Sequence, residues 1–338
     1  MTDQRRERIA TFIEPLRVRP GTAVNLVRDF DPGYRSDMVR KKDGLELLNT
    51  GIDLLAEYQA RLAAESTRGV LLCLQSLDAG GKDGTIRHVM SGVNPQGVRV
   101  SGFKVPSAAE LAHDYLWRYA QRLPARGEIG IFNRSHYEEV LVVRVHPENL
   151  ARQRLPAAHD HSIWDRRYRE INDWERYLVD NGIVVVKLLL NLSRDEQRKR
   201  FLKRIDVPER NWKFSAADAR ERRRWDDYQS AFSHMLSATS TEHAPWYVVP
   251  ADRKWFARVC AGAVLAHTLI ELDPQYPTVS EETRQELAAA RRELEAESPE
   301  MAAPDPSTAG HDGHGHRHPD GKARRTKTKS PKKGKVGA

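Results

Sequence analysis

The sequence predicts an α/β fold in which a parallel sheet is doubly wound, with helices on both faces. Three observations lead there. Short apolar segments recur at Gly69–Leu74, Val98–Ser101, Ile129–Phe132, Ile183–Leu190 and Trp246–Val249, and they alternate with stretches of helical spacing. Ile183–Leu190 is an almost unbroken apolar run, as a strand buried on both faces requires. The first segment leads into a glycine-containing loop and then a helical stretch, Thr85–Met90, an order of elements that can cradle an anion.

Along the chain, residues 1–44 contain Pro15, Pro20 and Pro32 and keep no sustained period, so they read as an extended arm with one short helix that wraps the core. From Leu45 to Ala64 the apolar positions Leu48, Ile52, Leu55, Tyr58 and Leu62 mark a packing helix. After the glycine loop, helical patterns cover Ala108–Arg122, Glu138–Val145, His161–Val179 and Arg194–Ile205. The last follows Ser193-Arg194-Asp195-Glu196, a capping-box sequence. Another helix is expected to start after Ser215-Ala216-Ala217-Asp218 and run to about Leu236, and a final core helix spans Lys254–Ile270. One domain is therefore expected over residues 45–272. A charged extension follows at 273–302, with a helix at Glu281–Glu297, and then a tail at 303–338.

Composition narrows the class. The chain has 338 residues, 39% of them hydrophobic, enough for a substantial core. No run of ~18 or more apolar residues occurs, and the first residues lack the apolar centre of a leader peptide, so a soluble cytoplasmic protein without a membrane partner is expected. Cys73 and Cys260, its two cysteines, fall in a strand and a helix and read as core-filling thiols. The formal charge of +8 belongs mostly to the tail, where residues 303–338 carry nine Lys/Arg against three Asp. That tail, rich in Gly, Pro, His and Lys, is expected to be disordered, and its charge suits binding of polyanions. His311, His314, His316 and His318 within it have spacing compatible with divalent metals but no fixed geometry.

Three stretches carry chemistry. In Asp78-Ala79-Gly80-Gly81-Lys82-Asp83-Gly84-Thr85 the small residues let backbone N–H groups converge on phosphate oxygens, the helix start adds its positive dipole end, and Lys82 adds a mobile charge. The ordinary pattern G-x-x-x-x-G-K-[ST] is only partly kept: Ser76 stands at the first Gly and Asp83 replaces the Ser/Thr that ligates magnesium. Asp78 is the alternative metal carboxylate, with Asp83 a second candidate or simply the acid of the helix start. The second stretch, Asn133-Arg134-Ser135-His136-Tyr137-Glu138, follows a strand at the end of the sheet where ligands bind. Arg134 there either grips phosphate in a bidentate fork or pairs with a neighbouring carboxylate. The third, Lys203 to Phe214, places Arg204 and Lys213 between two helices, as a basic lid over phosphate or as a solvated face; Arg220 to Arg224 is equally open.

Taken together these strings, with Val93-Asn94-Pro95-Gln96-Gly97, Asn211-Trp212-Lys213-Phe214-Ser215 and Ala244-Pro245-Trp246-Tyr247-Val248-Val249-Pro250-Ala251-Asp252, resemble the polyphosphate kinase 2 family over roughly residues 30–272. The resemblance implies a P-loop kinase-like doubly wound sheet with a helical lid. It implies transfer of phosphoryl groups between inorganic polyphosphate and adenine nucleotides, dependence on Mg2+ with Mn2+ as a substitute, and assembly as dimers or tetramers. It assigns Asp78 to the metal-associated loop acid, Lys82 to the phosphate-binding lysine, Arg134 to the second-motif arginine, and Arg204 and Lys213 to the lid. Ala79, Gly80, Gly81, Asp83, Gly84 and Thr85 complete the phosphate loop. The family commonly has Asp at the place of Asn133 and Asn at the place of Glu138; the exchange seen here resembles the subgroup that phosphorylates AMP as well as ADP. A carboxylate at Glu138 would then place a second metal or orient a monophosphate.

Such a reaction needs no protein nucleophile, because the acceptor's terminal phosphate oxygen is already anionic, and positioning with charge neutralisation carries the rate. His88, His113, His136 and His146 accordingly read as structural rather than as phosphohistidine sites. Two other readings stand beside this one: an ATP-dependent nucleoside monophosphate kinase, whose loop chemistry would be alike, and a nucleic-acid-binding protein acting through the basic tail.

Overall fold

Apolar and β-branched residues form five strands, β1 (Gly69–Gln75), β2 (Val98–Gly102), β3 (Ile129–Asn133), β4 (Ile183–Asn191) and β5 (Trp246–Pro250). Each matches an expected segment, extended by one residue at its C-terminal end. In the computed structural model, which describes residues 3–156 and 163–297, they make one all-parallel sheet in the order β2-β3-β1-β4-β5. Leu72 of β1 lies opposite Ile131 of β3 and Val186 of β4, which fixes the register at the centre.

The period of two along each strand divides the core. Val70, Leu72 and Leu74 of β1 join Ile131, Leu188 and Val249 on one face. That face is covered by α1 (Asp3–Ile13), α2 (Gly44–Glu65), α3 (Lys82–Val89) and α8 (Lys254–Leu272). Leu71 and Cys73 point to the other face, as do Val185 and Leu189 of β4. There α4 (Ile163–Asp180) and α7 (Trp225–Thr239) pack, through Ile171 and Leu178 and through Phe232, Met235 and Leu236. This is the doubly wound arrangement expected. By length and hydropathy α8 resembles a membrane span, but more than half of its most apolar stretch is buried in the protein, as in a core helix. Both cysteines are buried and free.

Several local expectations fail. The arm carries more helix than expected, the eleven residues of α1 followed by a 3-10 turn at Glu14–Leu16 and a single turn at Leu26–Asp29. Past that 3-10 turn the chain covers the exposed edge of β5, where Arg17 bridges Tyr247 and Val18 N donates to Trp246 O at 2.8 Å. The single helix expected over Ala108–Arg122 is two short ones, Ala108–Leu111 and Trp117–Ala120. Asp114 separates them by taking Leu116 N onto its own carboxylate at 2.9 Å, so a side chain replaces the helical acceptor. Glu138–Val145 is likewise a 3-10 turn, His136–Glu139, and a separate turn at Val142–Val145. The helix expected from Ser215 breaks into α6 (Ala216–Glu221) and α7 at a 3-10 turn over Arg222–Arg224. Ser193 does cap α5 (Arg194–Asp206), accepting from Glu196 N at 3.1 Å.

The described chain divides into two units, the first ending at Pro277 and the second beginning at Thr278. In the second, α9 (Glu281–Ala296) is capped by Ser280 and buries no residue. The basic tail from 303 and its histidines lie outside the described residues.

Candidate functional site

The site forms where β1 and β3 end side by side. Past Gln75 the chain must turn back and start α3 within six residues. It does so through Ala79 at φ +62° and Gly81 at φ +107°, both left-handed. A Cβ on Gly80 would collide with the Ser76 side chain, so the tight loop admits only glycine there. Lys82 opens α3 and folds back, donating to the Ser76 carbonyl at 2.9 Å and hydroxyl at 3.0 Å. Burial, reinforced by Arg134 nearby, pulls its ammonium down to about 8, against the pull of Asp78, Glu138 and Asp83.

The second motif enters from β3. Arg134 takes a left-handed backbone, φ +66°, with its N–H on Leu74 O at 3.1 Å. Its guanidinium bridges the two carboxylates named from the sequence: Nη2 lies 2.6 Å from Asp78 Oδ1 and Nη1 lies 3.1 Å from Glu138 Oε2. Glu138 and Asp78 therefore hold Arg134 more firmly protonated than an ordinary arginine. Both sequence readings of Arg134 meet here, since an arginine paired with carboxylates is also aimed at the mouth of the phosphate loop. Asn133 Nδ2 donates to Asp83 Oδ1 at 2.8 Å, tying the same motif to the first turn of α3. Thr85 is buried one turn further on, with its N–H on Gly81 O, and Gly84 precedes it in α3.

A narrow cleft of about 30 Å3, open to solvent, lies against this group. Asp78, Arg134 and Glu138 form one wall; Gln197 of α5, Asp218 and Glu221 of α6, Arg222 and Trp225 form the opposite one. Arg204, at the end of α5, faces Asp218 across 3.8 Å and donates to Lys213 O at 3.1 Å. Lys213 itself stays outside this cleft, its ammonium 4.8 Å from the exposed Trp212 ring. Thus the structure brings together Asp78, Lys82, Asp83, Asn133, Arg134 and Glu138, sets Arg204 beside them, and leaves Lys213 apart.

Several residues that hold the site were not singled out from the sequence. Arg200 of α5 donates to Ala79 O and Gly80 O, both at 3.0 Å, and to Ala251 O at 2.5 Å, so one buried guanidinium fixes the carbonyls of the phosphate loop, while the Gly80 N–H closes the turn on Leu77 O at 3.0 Å. Gln197 holds Asp78 O at 3.0 Å and accepts from Arg222 at 2.9 Å, so of the ambiguous arginines Arg222 belongs to the cleft. Their one sequence signal is that Gln197, Arg200 and Arg204 lie on one face of α5 at helical spacing.

Behind the second motif lies a fully buried ionic group. Lys187 Nζ of β4 meets Glu175 Oε2 at 2.6 Å, Tyr137 Oη at 2.9 Å and Thr239 O at 2.6 Å, and His136 Nε2 lies 3.1 Å from Glu175 Oε1. His136 is fully enclosed, and burial lowers its pKa, so it is neutral and out of reach of substrate.

A divalent cation suits this donor set. Asp78 and Glu138 offer hard carboxylate oxygens beside the phosphate loop, and among the described residues no cluster of three or more acidic, His or Cys side chains forms a cage. Two carboxylates, with the remaining positions taken by phosphate oxygens and water, is how Mg2+ is commonly held.

Comparison with known proteins agrees with this geometry. A family model described as Polyphosphate kinase 2 (PPK2) matches residues 38–277. The chain is 50% identical over 283 residues to an ADP-polyphosphate phosphotransferase of Rhodopseudomonas palustris, covering 82% of this chain and 96% of that one. It is 47% identical over 265 residues to an AMP/ADP-polyphosphate phosphotransferase of Meiothermus ruber, covering 77% and 94%. The crystal structure of Polyphosphate Kinase 2 from Arthrobacter aurescens TC1 superposes with a TM-score of 0.74 at 40% identity, covering 82% of this chain and 96% of the other.

Proposed function

The chain belongs to the polyphosphate kinase 2 family, and from that premise we propose that it moves a phosphoryl group between inorganic polyphosphate and adenine nucleotides, with AMP and ADP both serving as acceptors. The observation that carries this reading is Arg134 poised between Asp78 and Glu138 at the phosphate loop.

In the forward direction the acceptor's terminal phosphate oxygen attacks the end phosphorus of the polyphosphate. The P–O bond to the rest of the chain breaks in line with the attack, and the shortened chain leaves with the bonding electrons. Backbone N–H groups of Gly81 and Lys82 and the Lys82 ammonium hold the phosphates. Arg134 meets the charge that spreads over the equatorial oxygens of the group in flight. Arg204 and Arg222, on the helical side of the cleft, close over the phosphate chain and help to exclude water. Mg2+, or Mn2+ in its place, would be held by Asp78 and Glu138 and would neutralise phosphate charge when bound.

The choice of acceptors rests on the exchanged pair. Asn133 donates to Asp83, a position where an aspartate would face a like charge, and the carboxylate appears instead at Glu138 against Arg134. The two named relatives differ on this point, one carrying ADP and the other AMP/ADP in its name. Neither is named as an ATP-dependent monophosphate kinase or a nucleic-acid-binding protein, and those readings are not retained. Assembly as a dimer or tetramer, a cytoplasmic location where these nucleotides are found, and a tail that retains polyanions belong to the same proposal.

The test supplies purified protein with Mg2+, polyphosphate and either AMP or ADP, without ATP, and follows products by chromatography. ADP and then ATP from AMP, absent in Lys82→Ala, is the expected result. ATP from ADP alone overturns the acceptor assignment; no product from either overturns the function.

A further inference from the structure

On the sheet face away from the cleft, α1, α2 and α8 do not close completely. Between them lies a cavity of about 480 Å3, within the range of small-ligand sites. Its walls are apolar: Ile9 and Phe12 from α1, Leu48 and Leu55 from α2, and Val259 and Ala266 from α8. Gly51 of α2 faces it as well, and a Cβ placed there meets nothing within 4 Å beyond its own helix, so the space begins at the backbone. Met38 and Leu47 remain 48% and 41% exposed at its edge, an unusual exposure for side chains that border so much apolar surface.

The mouth is cationic. Arg5 and Arg8, one turn apart on α1, both border the cavity, and among the described residues neither guanidinium makes a hydrogen bond or ion pair. Arginine seldom lines apolar space without a partner, and two unpaired guanidinium groups above a hydrocarbon wall define a complementary shape: an apolar chain below and an anionic head above. Among the described residues no carboxylate borders the cavity to compete for them.

We propose that this cavity binds a free medium-chain amphiphilic anion, a carboxylate of roughly ten to twelve carbons, with its chain against Gly51 and Phe12 and its head group on Arg5 and Arg8. The pocket also touches Val89, the last residue of the helix that begins with Lys82, so an occupant packs directly against the element that carries the phosphate-binding lysine.

The test is calorimetric titration of the full-length protein with dodecanoate below its micellar concentration, with dodecanol as the uncharged control. Three proteins are compared: wild type, Gly51→Leu, which fills the cavity and removes a glycine from a helix interior, and Arg5→Glu/Arg8→Glu. The proposal expects saturable one-site binding to wild type, loss in Gly51→Leu, and weakening by about tenfold or more of dodecanoate but not dodecanol in the double variant. Basal phosphotransferase activity serves as the folding control for both variants. Absence of saturable binding, or binding that Gly51→Leu leaves unchanged, overturns it. So does association with anionic vesicles without binding of the free acid. A change in oligomeric mass in Gly51→Leu without dodecanoate binding to wild type would assign the cavity to a subunit contact instead.

Discussion

Arg134 Nη2 lies 2.6 Å from Asp78 Oδ1, joining the second motif to the phosphate loop across 56 residues of sequence. The contact is made from a left-handed backbone, φ +66°, a conformation that costs a non-glycine residue about 1–3 kcal/mol and persists only where its surroundings impose it. Here β1 and β3 run parallel, and the Arg134 N–H is fixed on Leu74 O, so the turn is dictated by the sheet. The guanidinium is thus held in place before any phosphate arrives, which is the condition for electrostatic preorganisation.

Arg134→Lys should therefore lower kcat by about 10²- to 10³-fold, although it keeps the charge, because a single ammonium cannot span both Asp78 and Glu138 and the transferring group. Steady-state kinetics with polyphosphate and ADP check this. A variant that changes KM alone would show that Arg134 serves only ground-state binding.

Arg200→Ala should loosen the loop without touching substrate. It frees the carbonyls of Ala79, Gly80 and Ala251, which water reaches only in part. A loss of about 1–3 kcal/mol in urea unfolding is expected. Misplacing the loop by an ångström should also cut kcat/KM by about 10²-fold. A stability loss with unchanged kcat/KM would reduce Arg200 to a packing residue.

The contrast between these two arginines shows what the sequence could reveal. The phosphate loop is local: strand, glycines, lysine and helix follow one another between Gly69 and Val89, so composition and order expose it. All five strands were legible for a similar reason, since apolar runs such as Ile183–Leu190 have no alternative home. Arg200 meets Ala79 only through the tertiary fold, 121 residues away, and its one local signal, a place on the face of α5 shared with Gln197 and Arg204, does not say what that face packs against. The broken helices failed differently. Helical spacing over Ala108–Arg122 is real, but Asp114 supplies a local acceptor that ends the helix, and at residues 136–139 burial of His136 and Tyr137 against Glu175 outweighs helical spacing.

Lys82 sets a pH dependence. Its ammonium, lowered to about 8 by burial and Arg134, is charged at pH 7 and largely neutral by pH 9. Polyphosphate binding needs the charge, so affinity should fall by about tenfold per pH unit above pH 8, a window in which the phosphate oxygens no longer titrate. Stability should move the other way. Between pH 8 and the ordinary lysine value near 10.5 the unfolded chain binds the proton that the folded one has released, and stability rises with pH. Binding isotherms at pH 7 and 9 test the first half. Lys82→Arg, whose charge persists, should flatten the trend; an equal slope in that variant would place the titrating group elsewhere.

The deepest test concerns the ionic group behind Arg134. Lys187 and Glu175 are both fully enclosed, and Lys187 also carries the Tyr137 hydroxyl, three residues beyond Arg134. Burial lowers the Lys187 pKa; burial pushes Glu175 up, but Lys187 and His136 outweigh it and hold the carboxylate below its ordinary value, and Lys187 Nζ lies 2.6 Å from Glu175 Oε2, the geometry of an ion pair. Lys187→Met leaves the Glu175 charge without its partner and should cost about 3–5 kcal/mol of stability. Adding Glu175→Leu removes the orphaned carboxylate and should recover much of that loss, because two apolar side chains in a closed site carry no desolvation penalty. If the group only stabilises the fold, the double variant regains activity together with stability. If it also fixes the turn that presents Arg134, stability returns while kcat stays depressed, because the Tyr137 hydroxyl has then lost both Lys187 and Glu175. Denaturant unfolding and kcat measured on the same three proteins separate the two.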